Sequence, residues 1–238
     1  MLDTSNLPDK APQYDLLALL EAGAHFGHQK AKWSPKMAQF IYMEKDGVHI
    51  FDLEKTAAQL RTAYNLAYQM GKQGKVMVIV GTKRQAQEIV REVATANKVM
   101  HITSRWLGGL LTNWEQVKGS IKRMNEIETG RATDAFKGYT KYEKVQLEKE
   151  MNRLNRFFGG IKDLKGKPDC IFVIDPKREK NAVKEANIMG VPVIAMIDSN
   201  ADPDLVDLPI PANDDAIKSI EMVVTAVVAG YEAGKKDK

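Results

Sequence analysis

The stretch Val76-Met77-Val78-Ile79-Val80-Gly81-Thr82-Lys83-Arg84 runs an apolar, largely β-branched segment into a glycine and then into two basic residues. Five apolar residues without polar alternation read as a strand buried on both faces. Lys83–Asn97 follows with helical spacing, and Val99–Ile102 is another short apolar run. The unit recurs downstream as a strand over Cys170–Ile174, a helix over Lys177–Met189 and a strand over Val191–Ile197. A minor strand at Leu208–Ile210 and a final helix over Asp214–Gly230 complete the series. Parallel strands need crossover connections, so this alternation implies a parallel sheet with helices on both faces. With right-handed crossovers the expected class is α/β: a flavodoxin-like (Rossmann-like), doubly wound, five-stranded parallel sheet.

The alternation breaks between the second and third strands. Asn113–Glu128 carries Trp114, Val117, Ile121 and Met124 at helical spacing, and Tyr139–Phe158 carries Leu147, Met151, Leu154 and Phe158. Two such stripes joined through Gly130–Gly138 predict an inserted antiparallel coiled-coil helical hairpin. Upstream, Tyr14–Ala22 reads as a short helix stopped by Gly23, Phe26–Pro35 as loop, and Phe40–Met43 with Val48–Phe51 as a hairpin turning at Asp46-Gly47. A long amphipathic helix spans Leu53–Gln73. The expected organisation is a mobile arm over 1–12, a globular α/β domain over 13–104 and 159–231, an inserted hairpin over 105–158, and a short basic tail over 232–238.

No apolar run is long enough to cross a bilayer, and no secretory signal is visible at the N-terminus. The single cysteine, Cys170, leaves no partner for an internal disulfide, which fits a reducing, cytoplasmic setting. Charge is unevenly spread: Ala22–Met43 holds lysines and histidines but no acid, whereas Asp198–Glu221 is strongly acidic. Such asymmetry suits one face turned toward a polyanion.

Ligands of doubly wound sheets bind beyond the carboxyl ends of the strands. Here those ends carry Gly81-Thr82-Lys83-Arg84 and Asp175-Pro176-Lys177-Arg178, basic residues at helix starts that favour anions. Neither the Lys-Ser/Thr phosphate loop nor the Gly-x-Gly-x-x-Gly fingerprint is present. No Ser-His-Asp or Cys-His set and no acid/base carboxylate pair emerges, so the chain reads as non-enzymatic, with no required cofactor. Asp198 and Asp214, at neighbouring strand ends, form a candidate site for a divalent ion such as zinc, with a histidine of the N-terminal loop as a further donor. Lys30, Lys32 and Lys36 surround Trp33 in a loop stiffened by Pro35. Together with Lys83, Arg84 and Arg105 they are the candidate RNA-phosphate contacts, while Trp33 reads as packing.

One motif stands apart: Arg105-Trp106-Leu107-Gly108-Gly109-Leu110-Leu111-Thr112-Asn113 lies where the hairpin leaves the sheet. Trp106, Gly108 and Gly109 read as the architecture of that root, with Thr112 or Asn113 capping the first hairpin helix. Arg105 alone keeps a claim to RNA.

These residues carry a family resemblance. Gly23–Met37, Val48–Thr56, Gly81–Gln85, Arg105–Trp114, Pro168–Asp175, Glu185–Val193, Asp198–Pro203 and Ile210–Ala216 run in the order found in bacterial small-subunit ribosomal protein two, and the chain closely resembles that family. The resemblance implies a structural constituent of the small ribosomal subunit. It also implies binding to ribosomal RNA between head and body, contact with neighbouring small-subunit proteins, and docking of the messenger-binding ribosomal protein one. A rival reading is a nucleotide- or phosphosugar-binding enzyme that uses the crevice at the strand ends.

Overall fold

The computed structural model describes residues 7–238. Asp15 accepts a hydrogen bond from the Leu17 N–H and caps α1 (Leu16–Glu21), and Gly23, at φ 73°, ends that segment. Three strands, β1 (Phe26–Gln29), β2 (Ile41–Lys45) and β3 (Val48–Phe51), form a small antiparallel sheet in the order β1-β3-β2. Asp46 and Gly47 both adopt left-handed φ values, 52° and 76°, as the expected Asp-Gly hairpin requires. β1 falls in the stretch read as loop. Gly27, His28 and Gln29 give no apolar alternation, and the strand pairs irregularly with β3 at the sheet's edge.

Asp52 caps α2 (Leu53–Lys72), accepting from the Glu54 N–H. Beyond it come β4 (Met77–Val80), α3 (Arg84–Ala96), β5 (Met100–Ile102), α4 (Trp114–Ala132) and α5 (Lys141–Phe158). The chain ends with β6 (Cys170–Ile174), α6 (Lys180–Met189), β7 (Val193–Ile197), β8 (Leu208–Pro211) and α7 (Ile217–Lys236). The large sheet is wholly parallel in the order β5-β4-β6-β7-β8, the doubly wound arrangement expected of the sequence. Its direction of winding reverses between β4 and β6, so their carboxyl ends flank the crevice of the fold.

Side-chain alternation sorts the core into two layers. Met77 and Ile79 join Phe172, Ile174, Ile194 and Met196 under α2, α3 and α7. Val78 and Val80 join Ile171, Val173, Val193 and Ala195 under α6, the residues rooting α4, and Met37, Phe40 and Phe51 from the small sheet. Cys170 is fully buried, and burial pushes its thiol up to about 12, so the sulfur is an inert filler.

α2 and α7 meet along two stripes of small residues at four-residue spacing: Ala63, Ala67 and Gly71 against Ala226, Gly230 and Gly234. A Cβ on Gly230 would fall on the backbone of Tyr64, one on Gly234 on that of Tyr68, and one on Gly71 on that of Tyr231. These glycines let two helices approach backbone to backbone. The expected basic tail over 232–238 is thereby corrected, because α7 continues to Lys236 and Gly230 is a packing position, not a terminator. The Tyr68 hydroxyl donates to Asp237 at 2.5 Å and ties down the end of the helix. Part of the expected mobile arm, residues 1–6, lies outside the described residues. The remainder is pinned, since the N–H groups of Lys10 and Ala11 donate to Asn65 Oδ1 at 2.9 and 2.8 Å.

The insertion is a pair of helices. Val117, Ile121, Met124 and Ile127 of α4 are buried, as are Leu154 and Phe158 of α5. Arg123 forks onto Glu150 through Nε and Nη2 at 3.1 and 3.0 Å, which ties the two helices together. A reciprocal Thr140–Glu143 capping box starts α5.

Candidate functional site

The root of the helical arm is organised around one carboxylate. Glu185, on α6, is only 9% exposed. Its Oε1 accepts from the Trp106 indole at 3.1 Å and from the Gly109 N–H at 2.8 Å. Its Oε2 accepts from the Leu111 N–H at 3.0 Å and from both the N–H and the hydroxyl of Thr112 at 3.3 Å. Burial raises the carboxyl's pKa, but these donors outweigh it and hold Glu185 below the usual glutamate value. Trp106 is 5% exposed and packs in the core with Leu110 and Leu111, so it is a structural anchor, and no base can stack on it. Gly109 needs its glycine, at φ 90°, whereas a Cβ at Gly108 would meet nothing within 4 Å. Asn113 does precede α4, yet its amide donates to the Gln116 side chain at 2.9 Å and caps no backbone N–H. Arg105 is exposed, with no ion-pair partner among the described residues.

The crevice between β4 and β6 is closed by the chain's own charges. Lys83 lies 2.6 Å from Asp214, 2.5 Å from Asp215 and 3.6 Å from Asp175. Burial would lower the pKa of this ammonium, but the carboxylates more than reverse that and hold it above the ordinary lysine value. Two expectations are corrected here. Lys83 is 9% exposed and faces inward onto three carboxylates, so it offers no charge to an RNA phosphate. The same cluster fills the place where a nucleotide phosphate would sit in the enzyme reading. A second buried carboxylate, Glu179, accepts from the N–H and hydroxyl of Thr82 across the same strand ends, and burial raises its pKa.

The candidate metal pair is also rearranged. Asp214, 1% exposed, belongs to Lys83; burial and the charges of Asp198 and Asp175 push it up to about 7, with Lys83 opposing. The groups that converge instead are His28, Asp198 and Asp215, with one donor atom each within 4.8 Å of one another. His28 Nδ1 lies 2.9 Å from Asp198 Oδ1 and Nε2 lies 3.8 Å from Asp215. The hydrogen bond to Asp198 is the main reason the imidazole's pKa is raised. Asp198 Oδ1 also accepts from the His28 N–H at 3.1 Å, which fastens β1 onto the carboxyl end of β7.

The expected lysine cluster divides. Lys30 pairs with Glu44 at 2.7 Å, and Lys36 pairs with both Asp202 and Asp204 at 2.8 Å. Trp33 is half-buried with its ring 4.6 Å from that of His49, in keeping with a packing role. Lys32, Arg84 and Arg105 are exposed, and none has an ion-pair partner among the described residues. So are Lys177 and Arg178, in the Asp175–Arg178 turn; Arg178 Nε reaches the Thr82 hydroxyl at 3.4 Å. Arg105 follows β5, Arg84 follows β4, Lys177 and Arg178 follow β6, and the loop of Lys32 is bonded through the Ser34 N–H to Ser199 after β7. Because those strands are successive neighbours, these cations line the carboxyl edge of the sheet, where Asp198 and Asp214 are buried while Asp215 is exposed beside Lys83.

Two buried acids that organise this region, Glu185 and Glu179, were not expected from sequence. The usable signal was a glutamate on an otherwise inward helix face, Ala182-Val183-x-Glu185-Ala186.

The family model described as Ribosomal protein S2 matches residues 19–234. Among curated relatives, the small ribosomal subunit protein uS2 of Synechococcus elongatus is 47% identical over 219 residues, covering 92% of this chain and 87% of the relative. That of Coprothermobacter proteolyticus is 43% identical over 221 residues, covering 93% and 82%. That of Rippkaea orientalis is 43% identical over 224 residues, covering 94% and 84%.

Proposed function

The chain belongs to the ribosomal protein S2 family, a structural and non-enzymatic component of the small ribosomal subunit, and from that premise we propose that it binds ribosomal RNA along the carboxyl edge of its sheet. The observation that carries the proposal is the row of exposed cations Arg105, Arg84, Lys177, Arg178 and Lys32, without ion-pair partners among the described residues, across neighbouring strand ends. Phosphate neutralisation by these groups supplies affinity, and the folded shape of the RNA supplies specificity. The family implies a place on a cytoplasmic ribosome, and no helix among the described residues is long and apolar enough to cross a membrane. Contact with neighbouring small-subunit proteins and docking of the messenger-binding ribosomal protein one rest on the family alone, and no residue is assigned to them.

Equilibrium binding to small-subunit ribosomal RNA, measured across a salt series, tests the edge. Each neutralised phosphate contributes about 0.7–0.9 to the slope of log affinity against log salt. The variant Arg84→Ala/Arg105→Ala/Lys177→Ala should therefore lower the slope by roughly 2–3. Lys36→Ala should leave it unchanged, because Asp202 and Asp204 already compensate that charge. Equal slopes for wild type and the triple variant would refute the assignment.

We also propose that His28, Asp198 and Asp215 hold a divalent cation such as zinc. One imidazole and two carboxylates suit such an ion, and one donor atom from each lies within 4.8 Å of the others. Elemental analysis of protein purified without chelator should find about one equivalent in wild type and little in Asp215→Asn. Metal-free wild-type protein would remove the proposal.

A further inference from the structure

We propose that the crevice at the root of the helical arm, between α3, β5 and the end of α5, seats one unpaired nucleotide of RNA, its phosphate held by Arg91 and Arg156 and its base set against Phe157. This inference rests on the RNA-binding reading above and extends it to a site away from the strand ends.

The crevice has a volume of about 650 Å³, which is the size of a small-ligand pocket. Two arginines and no acidic residue line it. Arg91 and Arg156 are exposed, and neither has an ion-pair partner among the described residues. Their guanidinium groups are thus available to a phosphate, which they can grip in a planar, forked geometry. Aromatic surface lies beside the charge. Phe157 is half-buried on the crevice wall and the Arg156 guanidinium lies over its ring, 5.8 Å from the centroid, so aromatic surface and positive charge meet at one point of the wall.

The remaining wall is suited to the edge of a base. His101 Nδ1 lies 3.3 Å from the Val99 carbonyl. Burial and then the charge of Arg91 lower the pKa of this imidazole, so it is neutral, and with Nδ1 donating to Val99 its Nε2 is left as an acceptor. The Gln87 amide nitrogen donates to the Thr82 carbonyl at 3.0 Å, which leaves its oxygen free to accept. The Ser104 hydroxyl, which also lines the crevice, is buried without a partner. A duplex is too wide to present a base here, so the ligand is a nucleotide splayed from a loop, bulge or strand end.

The same chemistry would accept a free nucleotide, and the test separates the two sources. Small subunits assembled with wild type, with Arg91→Ala/Arg156→Ala, with Arg91→Lys/Arg156→Lys or with the edge variant are probed with base-specific and backbone-specific reagents. A base protected with wild type should regain its reactivity in the double-alanine variant while protections along the sheet edge persist. The lysine pair should restore part of that protection. The double-alanine variant should also lower the salt slope for RNA binding by about 0.7–0.9, because both arginines are withdrawn from a single phosphate. Unaltered protections and slope in that variant, with the edge protections intact, would overturn the crevice while sparing the edge. Loss of every RNA protection from wild type would instead overturn the underlying RNA reading. Saturable, Arg91-dependent binding of adenosine monophosphate by the purified protein at micromolar concentration would overturn the RNA assignment in favour of a free nucleotide.

Discussion

Gly230→Ala should lower the thermal midpoint by about 4–8 °C, although alanine is the better helix former by about 1 kcal/mol. The added methyl lands on the Tyr64 backbone across the seam between α2 and α7. A flexible side chain could swing aside, but backbone yields only if one helix moves away from the other. Separation would also loosen Ala67 against α7 and the close approaches of Gly71 and Gly234 along the same seam. Overpacking in a close-packed interior costs about 1–3 kcal/mol for added methylenes, with backbone collisions at the upper end. After the propensity gain, a net loss of roughly 2 kcal/mol is therefore expected, with each kcal/mol worth about 2–4 °C for a chain of this size. Circular dichroism melts of wild type and variant decide the sign. A rise in the midpoint would mean that propensity governs the position and that the helices do not meet backbone to backbone.

Glu185→Ala should cost still more of the arm's rigidity, with a loss of about 3–5 kcal/mol in stability. The carboxylate receives the Trp106 indole, the N–H groups of Gly109, Leu111 and Thr112, and the Thr112 hydroxyl. Alanine strands those donors beside a buried tryptophan, and each orphaned buried group costs roughly 1–3 kcal/mol. Glu185→Gln should be intermediate. Its amide oxygen can replace one carboxylate oxygen, but its NH₂ must then face the N–H groups bonded to the other, donor against donor.

The carboxyl's folded pKa lies below its unfolded value, so its contribution is present above the unfolded value and is lost as pH falls through the folded one. The stability gap between wild type and Glu185→Gln should accordingly be constant above about pH 5 and shrink as the pH falls further. A gap that widens on acidification would contradict the hydrogen-bond account. Trp106→Ala should likewise destabilise the protein, because it removes an indole that is 5% exposed.

The parallel sheet and its helices were legible because buried strands such as Val76–Val80 and Cys170–Ile174 announce themselves by apolar continuity alone. The α2–α7 seam was equally present in sequence, as Ala63, Ala67 and Gly71 and as Ala226, Gly230 and Gly234. A glycine late in a helical pattern is, however, also the usual sign of a helix end, and only the facing backbone distinguishes the two. The site residues were less legible for a physical reason. Lys83 and Arg84 are adjacent in sequence, yet one points into three carboxylates contributed from distant segments and the other into solvent. Nothing local to Lys30 or Lys36 reveals Glu44 or Asp202, and nothing near Trp106 reveals a carboxylate supplied by α6. Charge type can be read from a sequence, whereas charge compensation belongs to the fold.

On the proposed reading, the fold engages the lysine of its own crevice with carboxylates and leaves the neighbouring row of cations to hold ribosomal RNA. Gradient sedimentation of lysates from cells that carry tagged wild type or Arg84→Ala/Arg105→Ala/Lys177→Ala tests this most directly. Wild type should run in the small-subunit peak, and the triple variant, with an unchanged thermal midpoint, should shift toward the top of the gradient as salt is raised. A triple variant that stays in the small-subunit peak at wild-type occupancy and salt resistance would contradict the claim.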